Sequence, residues 1–128
     1  MSFAWAAYLT LAEALFRERV TFADKEACCR AAISRAYYAA FGAARNHARD
    51  SEGLTLSHTA SDHQSVPRHY RQGSNLHRRA INAHLRRLRD ERNRADYNDP
   101  NIQQVDDVAR NALNRARQVF TLLDQLRP

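Results

Sequence analysis

Apolar residues recur along this chain at spacings of three and four, separated by polar stretches rich in Gly, Pro, Asn and Ser. That period is the mark of amphipathic helices. A first helix is expected over about residues 2–18, where Trp5, Tyr8, Leu9, Ala12, Leu15 and Phe16 share one side. A second follows Thr21, which suits an N-cap with Asp24 three residues on. It runs to about Asp50, roughly 40 Å at 1.5 Å per residue. Its inward stripe reads Ala27, Ala31, Ser34, Tyr38, Phe41 and Ala48, small enough in places for a neighbouring helix to approach closely.

From Ser51 to Ser61 the pattern lapses into a loop of Ser, Gly, Thr and His. A short helix is expected over about Asp62–Arg71, entered near Val66-Pro67, with a break at Gln72-Gly73-Ser74-Asn75. Ser74 or Asn75 would cap a fourth helix over about Leu76–Tyr97. Asn98-Asp99-Pro100-Asn101 stops it, since proline cannot continue a helix and Asn and Asp favour turns. The last helix, about 102–126, carries Val105, Ala109, Ala112, Ala116, Val119, Leu123 and Leu126 at near-heptad spacing. No segment alternates as a strand. The expected architecture is all-α, an up-and-down bundle of four or five helices forming one domain over residues 1–128.

Composition agrees, with only three Gly and three Pro beside abundant Ala, Leu and Arg. No apolar run approaches the roughly 18 residues a membrane span needs, and the start lacks a basic-then-apolar signal pattern. A cytoplasmic location without membrane association is expected. Cys28 and Cys29 are adjacent on a helix, where a bridge between them would be strained. They read as small packed thiols in a reducing compartment.

Charge changes the picture only once it is located. The chain carries 20 basic and 14 acidic residues, a net +6. Nine arginines (68, 71, 78, 79, 86, 87, 89, 92 and 94) fall between Arg68 and Arg94 against Asp90 and Glu91, a local +7. The remainder sums to −1 from 11 basic and 12 acidic residues. Such a concentration suits phosphate and hence nucleic acid, although an Ala- and Arg-rich chain also reflects a GC-rich genome. Arg68, Arg71, Arg78, Arg79, Arg86, Arg87, Arg89 and Arg94 are the candidate nucleic-acid contacts.

Arg92 stands apart from them. It continues the apolar stripe Ile81, Leu85, Leu88, so its guanidinium should point inward. An inward Arg is unfavourable unless a partner accepts its donors, and Asp96, one turn on, is the nearest acid. Because desolvation can consume the Coulomb gain of such a pair, Arg92-Asn93-Arg94-Ala95-Asp96-Tyr97 reads as a site or as the remnant of one.

Ser34-Arg35-Ala36-Tyr37-Tyr38-Ala39-Ala40-Phe41, followed later by Arg92-Asn93-Arg94-Ala95-Asp96-Tyr97, resembles the HEPN family, the higher eukaryotes and prokaryotes nucleotide-binding domain. The resemblance spans nearly the whole chain. It implies a four- or five-helix bundle, commonly a homodimer with its motifs facing across the interface. Many members are metal-independent ribonucleases, often toxins, with Arg followed four to six residues later by His. Here that His is absent: Tyr97, Asn98 and Asp99 occupy the positions counted from Arg92. The chain is more similar to the subgroup with Arg-x-x-Ala-Asp-Tyr in that place, whose members often sit beside a minimal nucleotidyltransferase. The resemblance therefore implies an RNA-associated or toxin–antitoxin-type binding module with such a partner. The alternative is an endoribonuclease using Arg92 with Asp96, Tyr97 or His84, and a bare scaffold is a third reading.

Among supporting residues, Arg35 and Tyr38 are placed to reach Asp96 from the second helix, as part of a site or merely to hold helix register. His84 satisfies the Arg-to-His spacing from Arg79 and lies two turns before Arg92, or it is a solvated or core-edge histidine. Tyr97 is the position that the resemblance marks for modification by a transferase, or it packs with its hydroxyl bonded. Tyr37 and Phe41 suit either base stacking or packing in the core or a dimer interface. No cofactor pattern is present, and His58, His63 and His69 fit no common zinc spacing, with no Cys to support them.

Overall fold

The computed structural model describes residues 3–98 and 100–127. Within them lie five α-helices and one π-helical turn, with no strand: α1 Ala6–Arg17, α2 Lys25–Glu52, α3 Asp62–Arg71, α4 Leu76–Asn93, the π turn Arg94–Asn98, and α5 Val105–Leu126. The chain is thus an all-α bundle. Ser2 and Asp99, expected in the first helix and in the break after the fourth, lie outside the described residues.

α2 is the axis, and α1, α3, α4 and α5 all pack against it. Its alanines make this feasible, because small side chains let helices approach closely. Ala32, Ala36, Ala39, Ala40, Ala44 and Ala48 are buried, together with Cys28, Cys29, Ile33, Tyr37 and Phe41. A helix enclosed by four neighbours buries more than one stripe. Of the expected stripe, Ser34, Phe41 and Ala48 are buried, whereas Ala27 is exposed, Ala31 and Tyr38 are half-buried, and Tyr37 takes the interior. The start also differs, since Asp24 rather than Thr21 caps α2, its carboxylate accepting from the Ala27 amide at 2.8 Å. The helix ends at Gly53, whose φ of +73° supplies the left-handed turn.

Gly42 shows how tightly α1 docks. A Cβ there would stand 2.1 Å from a ring carbon of Trp5, so only glycine admits the indole. Further along, α3 contributes Val66 and Tyr70, α4 contributes Ile81, Leu85 and Leu88, and α5 contributes Ala109, Ala112, Leu113, Ala116, Val119 and Leu123 to one core. The buried Tyr70 hydroxyl donates to the Ala44 carbonyl at 2.6 Å, tying α3 to α2. Pro67 lies inside α3 rather than at its entry. The helix is entered instead through Asp62, whose carboxylate accepts from the Ser57 amide and hydroxyl and from the His58 amide.

Asp106 fastens α5 to the α1–α2 connection, accepting from Arg19 at 2.8 Å, Lys25 at 2.9 Å and the Cys29 thiol at 3.4 Å. Those bonds from Lys25 and Arg19 hold its carboxyl down at about 2. Cys28 and Cys29 are both buried free thiols, and burial pushes Cys29 up to about 11. No helix among the described residues is long and apolar enough to cross a membrane.

Candidate functional site

The inward stripe of α4 does end on Arg92, which is 7% exposed. What surrounds it is aromatic. Its guanidinium carbon lies 5.2 Å from the ring centre of Tyr37, 5.4 Å from Tyr38 and 5.6 Å from Tyr97. Three ring faces favour a cation electrostatically, which offsets part of its desolvation. The Nε atom is buried and reaches no hydrogen-bond partner among the described residues.

Asp96 is not that partner. It is exposed, and its carboxylate accepts from the Ser34 hydroxyl at 3.0 Å, while no ion pair within 4.0 Å joins it to Arg92 among the described residues. The cause is the π turn. Past Asn93 the helix widens, so residues four apart no longer stack one above the other as in an α-helix. Arg30 of α2 supports the widened turn by donating to the carbonyls of Ala95 at 2.8 Å and Pro100 at 3.3 Å. Tyr97 is swung outward and is 73% exposed, beside the guanidinium it partly covers.

The histidine nearest this centre is His63, the second residue of α3. Its Nδ1 is hydrogen-bonded to the Tyr37 hydroxyl. Its ring stacks on Phe41 at 4.5 Å and 17°, and on Tyr37 at 5.7 Å and 25°. Burial, with Arg92 and Arg89 nearby, lowers its pKa below the ordinary histidine value and so favours the neutral ring at pH 7. Tyr37 is pushed upward by burial, so its hydroxyl stays protonated.

His63 forms one wall of a cleft of about 440 Å³ between α3 and α4, with Gln64, Pro67, Arg68, Arg71, Arg86, Arg89 and Asp90. Four arginines therefore face one acid. The Arg89 Nε, like that of Arg92, is buried without a hydrogen-bond partner among the described residues. α3 folds back along α4, so residues 68 and 71 meet 86 and 89 although the chain between them is long. The arrangement can hold an anionic group and offer it a neutral imidazole.

The other candidates fall elsewhere. Arg35 does not reach Asp96; its guanidinium lies 5.2 Å from the Tyr8 ring, on the α1 side of α2, and Ser34 makes the expected contact instead. His84 does not border the Arg92 centre. It lies on the side of α4 near Arg115 of α5, and burial with that arginine nearby lowers its pKa. Arg78 is consumed at the far end of α4 by Glu52 at 2.7 Å and the His69 carbonyl at 3.2 Å. Arg87 lies 3.7 Å from the buried Glu91, which Arg115 also approaches at 3.7 Å. Arg79 and Arg94 are exposed and lie outside the cleft lining.

The three loop histidines separate as well. His58 takes a positive φ of 60° in the loop, His63 joins the aromatic stack, and His69 bonds Glu52 at 2.6 Å. Among the described residues no three His, Cys, Asp or Glu side chains group to hold a metal ion. No protein-family profile matches the chain, and neither does any curated protein or solved structure.

Proposed function

We propose that this chain is an RNA-associated helical module, HEPN-like in its motifs, that holds the sugar–phosphate backbone in the cleft between α3 and α4. One observation carries the reading. Arg68, Arg71, Arg86 and Arg89 converge on one concavity with Asp90 the one acid lining it among the described residues. Phosphate oxygens would complete such donors, and a positive groove with ring faces beside it suits a single strand. The exposed Tyr97 ring supplies further stacking surface for bases. The motif resemblance extends this reading to a homodimer paired with a minimal nucleotidyltransferase. Fluorescence anisotropy with a labelled single-stranded RNA tests the core claim. Binding that weakens steeply with salt in the wild type, and falls about 10- to 100-fold when Arg68, Arg71 and Arg86 become Gln, supports it; indifference to those changes refutes it.

A second reading is favoured by His63. A neutral imidazole beside Arg89 and Arg92 can accept the proton of an RNA 2′-hydroxyl as that oxygen attacks the adjacent phosphorus. The 5′-oxygen leaves as an alcohol, taking a proton from water, and a 2′,3′-cyclic phosphate remains, while arginine stabilises the pentavalent charge. With Nδ1–H donating to the Tyr37 oxygen, Nε2 is the unprotonated nitrogen that takes the proton. Incubation of RNA with the protein and chelator decides this: cleavage abolished by both Arg92→Ala and His63→Gln supports an endoribonuclease, and intact RNA excludes it.

A further inference from the structure

Asp90 is out of place in the cleft between α3 and α4. It shares the lining with Arg68, Arg71, Arg86 and Arg89, and Arg86 stands one turn before it on α4, a spacing that permits an ion pair. Yet none of the four comes within 4.0 Å of its carboxylate. The acid that does draw arginines on this stretch of α4 is its neighbour Glu91, 3.7 Å from Arg87 and from Arg115. Both carboxylate oxygens of Asp90 thus remain open as acceptors, at a place where they repel phosphate. Across the cleft, α3 brings the exposed side-chain amide of Gln64, and His63 and Pro67 add ring faces. At about 440 Å³ the space lies within the roughly 300–1,000 Å³ of small-ligand pockets.

We infer that Asp90 reads guanine, its carboxylate accepting from N1–H and the 2-amino group of one base while the arginines hold the phosphates beside it. The inference rests on the RNA-binding reading above and adds a base specificity to it. A carboxylate only accepts, and guanine is the one RNA base with two adjacent donors on its Watson–Crick edge. Adenine and cytosine set one amino donor beside a ring acceptor. Uracil sets one donor between two carbonyls, which a carboxylate repels. The Gln64 amide can donate to guanine O6, which no arginine need then leave a phosphate to do. Unpaired RNA presents this edge to protein side chains. A free guanine nucleotide carries the same edge, but four arginines suit more than one phosphate, which favours the strand.

The test uses labelled oligouridylates that differ at one central position, carrying guanosine, inosine, adenosine or uridine, with anisotropy as the readout. The wild type should bind the guanosine strand about tenfold more tightly than the adenosine or uridine strand, as a bidentate base contact allows. Inosine, which lacks the 2-amino group, should fall between. Asp90→Asn keeps the shape but replaces one acceptor with a donor, so the preference should shrink to within about twofold while oligouridylate affinity holds or rises. An Asp90 that merely repels phosphate would instead let every strand gain equally. Asp90→Ala gives the same comparison should the Asn variant melt early in circular dichroism. Equal binding of all four strands by the wild type overturns the inference, as does a guanosine preference that survives both variants. Inosine binding as tightly as guanosine overturns the two-donor contact. GMP that displaces the guanosine strand only at millimolar concentration supports the strand as ligand; displacement at micromolar GMP overturns it in favour of the free nucleotide. Absence of salt-dependent binding to any strand removes the RNA reading itself, and this inference with it.

Discussion

The two ends of α4 carry similar sequence and do opposite things. At its start Arg78 enters a hub centred on Glu52, which also bonds His69 and lies 3.4 Å from the His47 ring. Nearer its end Arg86 and Arg89 face Arg68 and Arg71 across a cleft whose only acid among the described residues is Asp90. The same residue type thus serves packing where a carboxylate is present and leaves unmatched charge where none is. A run of arginines is therefore not one patch, and its charge has meaning only after the acids have been placed.

That contrast can be broken most forcefully in the cleft. Converting Arg68, Arg71 and Arg86 together to Gln should reduce RNA affinity about 10- to 100-fold and flatten the salt slope by about 2. Converting Arg79 and Arg87, outside the cleft, should change either far less in the same anisotropy assay. Gly42→Ala comes next. The Trp5 indole must shift to admit the methyl group, which should lower stability by about 1–3 kcal/mol in urea unfolding, with RNA affinity retained by the folded fraction. Unchanged stability would mean that α1 can slide on α2 freely.

At the hub, Glu52→Gln should cost less than about 1 kcal/mol, because partly exposed ion pairs contribute little. It should alter RNA affinity less than twofold; a larger gain would show that Arg78, once released, joins the cleft. The smallest effect concerns pH. The folded pKa of His63 lies below its unfolded value, so the unfolded chain takes up the proton first as pH falls. Stability tied to the neutral ring is full above the unfolded value of about 6.5 and declines below it, with a slope of at most about 1.4 kcal/mol per pH unit. His84 shifts in the same direction, so the readout is the difference between wild type and His63→Gln in unfolding at pH 7 and pH 5.5. Parallel pH profiles would show that His63 is not the group responsible.

Much of the fold was legible because helix signals are local. The period of apolar residues located all five helices, and the Gly73 and Pro100 breaks fell where the chain turns. Asp62–Arg71 was read with the bounds observed. The stripe on α2 holds at Ser34, Phe41 and Ala48 and fails at Ala27, Ala31 and Tyr38, because the pattern registers burial on one face and this helix is enclosed on several. For the site, the stripe ending on Arg92 was correct in direction and wrong in partner. Spacing assumed an α-helix through Asp96, and the π turn, supported by Arg30 from another helix, moved that residue to Ser34. His63 was missed for a different reason. Its 29-residue separation from Arg92 fits no motif, and only the docking of α3 on α2 and α4 brings the two together.

By itself, then, the sequence determined the helices, the basic segment and the inward Arg92, all of which follow from periodicity and composition along one strand of chain. The tertiary structure decided which arginines are matched by acids and which histidine stands beside the guanidinium. Charge compensation and ring stacking act through space over a few ångströms, between residues that the chain order keeps apart.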